Sequence, residues 1–173
     1  MTNPPIDVSA ITLPSPTGTP LVFADYRGAR AILLLGNQKT TDVVPAMVRQ
    51  LQADPTTAEI PILQVAHLVG VPRVVRRVPE RETRKRLAAL HAEMTRDRGL
   101  TAEDAQRLLA LGLDWEGEVT NQFGFSSSET HPVAAVLDEH LSVVMSTRNP
   151  NAVAELLVVL GSMTAADPLR STP

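Results

Sequence analysis

Apolar residues in this chain come in short blocks, separated by corners dense in proline, glycine and small polar residues. The block Ala31 to Leu35 is unbroken, long enough for a strand and too short for a helix. Such a run suits a strand covered on both faces in the middle of a sheet. After Gly36 and the polar corner Asn37 to Thr41, Val43, Val44, Met47, Val48 and Leu51 recur at helical spacing. Thr41 or Asp42 is the expected cap of that helix, and Asp54-Pro55 its stop. Ile62 to Leu68 reads as a second strand.

Ile11 to Leu13 and Leu21 to Phe23, on either side of Pro-Ser-Pro-Thr-Gly-Thr-Pro, predict a hairpin ahead of the central strand. Pro132 to Leu137 and Leu141 to Ser146, joined by Asp138-Glu139-His140, predict another. A helix is expected from Pro79 to Arg98, with Leu87, Leu90, His91 and Met94 on one face and Gly99 as its stop. Thr101 caps a further short helix carrying Leu108, Leu109 and Leu111 and closed by Gly112. Asp114 to Gly124 is expected as a helical turn. A last helix after Asn149-Pro150, bearing Val153, Leu156, Leu157 and Leu160, should end at Gly161. The pattern is that of one α/β domain over residues 1–173, with loose termini at 1–8 and 164–173.

Composition narrows the chemistry more than it identifies it. The chain has 173 residues, 43 % of them hydrophobic, and a mean hydropathy of zero, which is ordinary globular composition. There is no cysteine, so disulfide exchange, a thiol nucleophile and a thiolate metal site are all excluded. Aromatics are scarce and the net charge is −3, which gives no general attraction to nucleic acid or anionic lipid. No apolar run approaches the ~20 residues that span a bilayer, and the N-terminus has no basic-then-apolar leader; a cytoplasmic location is the expectation.

Charge is unevenly placed. Between Pro72 and Arg98 lie nine of the sixteen basic residues, against four acidic ones. Arg73, Arg76, Arg77, Arg81 and Arg84 form either a docking face for an acidic partner or anion, or the solvated face of a helical segment over 70–113. His67, His91, His131 and His140 have no metal-ligand spacing. His91, beside Leu87, Leu90 and Met94, is either a boundary residue or part of an apolar pocket, in the extreme an axial ligand to a tetrapyrrole. Asn37, Gln38, Lys39, Thr40 and Thr41, at a helix N-terminus, are either capping residues or an anion site.

Four local features together resemble the thioredoxin-like superfamily, in its peroxiredoxin (alkyl hydroperoxide reductase/thiol-specific antioxidant) and thiol-disulfide reductase branches. They are Thr17-Gly18 through Asp25-Tyr26-Arg27-Gly28, and Pro45 in the helix after the central strand. The others are Trp115-Glu-Gly-Glu-Val-Thr-Asn-Gln-Phe-Gly-Phe, and Thr130-His131-Pro132 before a strand ending at Asp138. The match spans roughly residues 8 to 163, apart from the basic segment. It implies a thioredoxin-like fold: a central mixed sheet flanked by helices, an N-terminal β-hairpin and a helical insertion. It places the reductase cysteines at Asn37 and Thr40, and a cis-proline at Pro132.

The chain departs from that family in its chemistry. Both cysteine positions are polar non-thiols, Gly36 replaces a bulky residue, and the Asp-x-x-Gly turn of the second hairpin has become Asp138-Glu139-His140-Leu141. The resemblance therefore implies a redox-inactive module that binds a small ligand or a protein partner without a cofactor, in a groove formed by Asn37, Gln38, Lys39, Thr40, Thr41, His131 and Pro132. The alternatives are a transferase-like enzyme using Lys39, Thr40 and His131, and a carrier of an apolar molecule such as a tetrapyrrole. Homodimerisation stays open.

Overall fold

The computed structural model describes residues 6–165. Its centre is a five-stranded sheet built from β3 (Ala31–Gly36), β4 (Ile62–His67), β5 (Leu109–Asp114), β6 (Val133–Leu137) and β7 (Val143–Thr147). A separate two-stranded hairpin, β1 (Thr12–Leu13) and β2 (Leu21–Val22), precedes it. The strand order is β5-β4-β3-β6-β7. β3 is parallel to β4 and β4 to β5, whereas β6 is antiparallel to both β3 and β7.

The unbroken apolar run finds its reason here, because β3 is the middle strand and is covered on both faces. Ile32 and Leu34 join one core with α1 (Val43–Ala53), α2 (Arg77–Arg98), α3 (Ala102–Leu108) and α4 (Ala152–Ala165). Ala31, Leu33 and Leu35 join a second core with Leu13, Leu21, Phe23, Val119 and Phe125. Each fully buried Leu or Ile on this strand contributes roughly 1.5–3 kcal/mol.

Three expectations change. The stretch Leu109 to Leu113 is not the end of a helix: α3 stops at Leu108, and β5 pairs in register with β4, Gln64 facing Leu111. An apolar run of this length is compatible with either element, and the open edge of β4 settles it as strand. Gly112 belongs to that strand because the first hairpin crosses it closely; a Cβ there would lie 2.8 Å from Leu13 Cβ. The helical part of the basic segment, α2 and α3, is thus the crossover that carries the chain from β4 to β5.

α4 runs through Gly161 to Ala165, since a single glycine weakens a helix without ending it. Of the arm expected to be loose, residues 1–5 lie outside the described residues. Asp7, in contrast, bridges to Ser142, and Val8 is fully buried. The expected loose tail lies largely outside the described residues as well. In the second hairpin Leu141 takes the glycine place with φ 68°, a left-handed conformation that costs a non-glycine residue energy. Its side chain is fully buried in the second core, which offsets that cost.

Candidate functional site

β3 ends at Gly36, and the chain turns at once through a single helical turn, Gln38–Thr40, into α1. Gly36 lets α1 start close to the strand, because a Cβ there would meet Val44 Cγ2 at 2.9 Å. The expected caps of α1 do not operate. Asp42 occupies the capping place without a side-chain bond, and Thr41 Oγ1 donates to Gln38 O instead.

The capping chemistry sits one turn earlier. Asn37 Oδ1 accepts from Lys39 N at 2.9 Å, and Thr40 Oγ1 accepts from Asn37 N at 2.8 Å. Asn37 Nδ2 then donates to Ser126 O and Glu129 O, both at 2.9 Å, and Lys39 Nζ donates to Ser128 O at 3.1 Å. Asn37 is only 7 % exposed and Thr40 is fully buried. The corner is therefore held shut against the 126–129 loop by the protein's own groups.

His131 and Pro132 are not part of this arrangement. No peptide bond among the described residues is cis, so His131-Pro132 is trans, contrary to the expectation. The trans form is the lower-energy one for an X–Pro bond, and the Asn37 carboxamide already anchors the loop, so no cis bond is needed to place it. His131 is exposed with its Nδ1 3.2 Å from Thr130 Oγ1, and Pro132 is buried at the start of β6.

Beside the closed corner a groove of about 840 Å³ opens between α1 and the first half of α2. Asn37, Gln38, Lys39, Thr40 and Thr41 all line its upper end. Its floor holds Leu34, Gln64 and Leu111, neighbours across β3, β4 and β5, and Val44, Val75, Val78 and Leu87 give it apolar walls. The polar residue of that floor is visible in the sequence as a break in the apolar run of β4; its meaning is not, because its surroundings are assembled from three strands and two helices.

A buried polar chain ends at the same strand. The Asp114 carboxylate, fully buried, accepts from the backbone N–H groups of Gly117, Glu118, Val119 and Thr120 and from Thr120 Oγ1. Because the Thr120 hydroxyl proton goes to Asp114 Oδ2, its oxygen accepts from His67 Nδ1 at 2.9 Å. That fixes the ring proton on Nδ1 and leaves a lone pair on Nε2. Burial pushes the His67 pKa below its ordinary value, against the opposing pull of the Asp114 carboxylate. The ring packs edge-on against Phe125 with centroids 5.8 Å apart. Sequence spacing misses His67 because its partners lie more than forty residues away.

The arginines divide into two groups. Arg76 lies with its guanidinium carbon 4.5 Å from the Trp115 ring centroid and a nitrogen 3.6 Å from Glu116. Arg77, Arg81 and Arg84 are exposed and border a second depression next to Pro16; Arg73 is exposed on the turn before α2. His91 lies outside the groove lining and its Nε2 is 2.8 Å from Leu109 O, which ties α2 to β5. Among the described residues no group of three or more side chains gathers as a metal site, and no helix is long and apolar enough to cross a membrane.

No family model and no curated protein matches the chain. Solved structures do. The chain is similar to dsbF of Mycobacterium tuberculosis at 18 % identity, with 90 % of this chain and 96 % of that one covered and a TM-score of 0.55. It is similar to the exposed lipoprotein thioredoxin Etrx1 of Streptococcus pneumoniae at 14 % identity, covering 88 % and 98 % with a TM-score of 0.58. A cysteine-to-serine mutant of Xanthomonas campestris peroxiredoxin Q matches at 14 % identity, 92 % and 93 % coverage and a TM-score of 0.56. The chain has the thioredoxin-like fold, and carries it without a single cysteine.

Proposed function

We propose that the protein is a redox-inactive binding module whose ligand lies in the groove between α1 and α2. The observation that carries the reading is the groove itself, about 840 Å³ with apolar walls, beside the corner where the resemblance would place the reductase cysteines, here Asn37 and Thr40. A concave, largely apolar space with a few polar groups is the usual form of a small-molecule site. Thiol peroxidase and disulfide reductase chemistry need a thiolate nucleophile, which this sequence does not contain. The exposed Arg77, Arg81 and Arg84 add a second surface to the reading, a docking face for an acidic protein partner.

The test uses 1-anilinonaphthalene-8-sulfonate, a fluorescent probe with an apolar ring system and a sulfonate that can stay at the open mouth of a groove. It should bind the folded protein with enhanced emission, and Thr83→Trp, which fills the groove from the α2 side, should remove that binding. Arg84→Gln, outside the groove, should leave it intact. Probe emission that Thr83→Trp does not change would overturn the groove as the binding site.

A further inference from the structure

Gln64 is the polar side chain on the floor of the groove. It sits in the middle of β4, flanked across the strands by Leu34 and Leu111, and is 6 % exposed. Its Nε2 is buried and has no hydrogen-bond partner. A parallel strand covered on both faces ordinarily carries apolar residues, and a buried amide left unpaired destabilises the fold. Such a group in a folded protein calls for a partner that is absent from the chain. Gln64 lines the groove, so rotation of its terminal amide, which takes Nε2 out of its buried position, gives that partner a route to it.

We infer that the groove takes a neutral apolar molecule bearing a carboxamide, whose carbonyl accepts from Gln64 Nε2 and whose N–H donates to Gln64 Oε1. The inference rests on the groove reading above and names its ligand class. An amide complements an amide because each presents one donor edge and one acceptor edge. The walls supplied by Val44, Val75, Val78 and Leu87 suit an aliphatic body. Lys39, Glu82 and Arg86 also line the groove, but Gln64 sits on its floor between Leu34 and Leu111, where the amide complements a neutral head and not an ion.

Octanamide is the probe, with octylamine as the charged analogue of the same chain length, each titrated against bound 1-anilinonaphthalene-8-sulfonate. Octanamide should displace the dye and octylamine should not. Gln64→Met keeps the length and volume of the side chain and removes both hydrogen-bonding groups. It should weaken octanamide at least about tenfold, with the affinity of the dye measured separately in each variant, and raise the melting temperature of the free protein. Equal octanamide affinity in wild type and Gln64→Met would overturn the role of Gln64 while leaving the groove as a binding site. Dye that Thr83→Trp fails to exclude would overturn the groove reading and this inference together. A Gln64→Met protein that melts below wild type would show that the amide has a structural task, and would equally overturn the proposal.

Discussion

Asn37 and Thr40 cap each other: the Thr40 hydroxyl oxygen accepts from the Asn37 backbone N–H, and the same hydroxyl donates to the Asn37 carbonyl at 3.1 Å. With Asn37 Oδ1 taking the Lys39 N–H, the turn is satisfied from within. The Asn37 amide nitrogen is then free to hold two carbonyls of the 126–129 loop. Asn37→Ala removes the cap and the side-chain donor that both carbonyls share, leaving Ser126 O with only the Glu129 N–H. A loss of about 2–3 kcal/mol in denaturant unfolding is expected. Amide exchange at residues 126–129 should quicken more than at β3. Unchanged exchange there would show that the loop is held by other contacts.

Asn37→Cys with Thr40→Cys should oxidise to an intramolecular disulfide, detected by mass and by loss of free thiol. Since the substitution also removes the loop's anchor, the oxidised protein should remain less stable than wild type. A double variant that stays reduced under an oxidising buffer would mean that the two positions do not face each other.

His67 sets a pH dependence whose sign follows from its burial. In the unfolded chain a histidine takes up its proton near pH ~6.5. In the folded protein burial holds the His67 pKa lower. Below pH ~6.5 the unfolded state therefore binds the proton first, and stability falls as pH falls until the folded His67 is protonated too. The loss amounts to at most about 1.4 kcal/mol for each pH unit over which the two states differ. Unfolding measured from pH 7.5 down to 5 should show this decline, and His67→Gln should flatten it.

The two groups of arginines should separate in one experiment. Arg76→Gln gives up the contact with the Trp115 ring and should lower the melting temperature. A combined Arg77→Gln, Arg81→Gln and Arg84→Gln variant should melt with wild type, because exposed charges contribute little to folding. It should nevertheless weaken any acidic partner, and the wild-type interaction should weaken with salt. Partner binding indifferent to both would leave these residues as solvated surface.

Local signals in the sequence were enough to place β3, α1, β4, both hairpins and the helix from the basic segment, because each has a clear period or a strong turn at its ends. β5 was hidden because Leu109–Leu113 is too short and too uniformly apolar to show a period, and only the free edge of β4 decides it. The corner residues Asn37 to Thr41 were legible as a polar turn from their place after the central strand. Gln64 and His67 were not, since what makes them notable is an unpaired amide and a hydroxyl partner brought together by folding. The place of Pro132 followed a family resemblance, and the trans bond shows the limit of carrying geometry across at low identity.

α2 is at once the outer wall of the groove and the chain's path from β4 to β5. Its lower half is pinned by Leu87, Leu90 and Met94 in the core, by His91 on the Leu109 carbonyl, and by Glu93 paired with Arg49 of α1. Its upper half has far fewer attachments, Val78 is largely exposed, and Arg76 on Trp115 is its chief mooring. Arg76, held by Trp115 and Glu116 just ahead of α2, thus ties the entry of that wall to the segment after β5, although Trp115 itself lines no part of the groove.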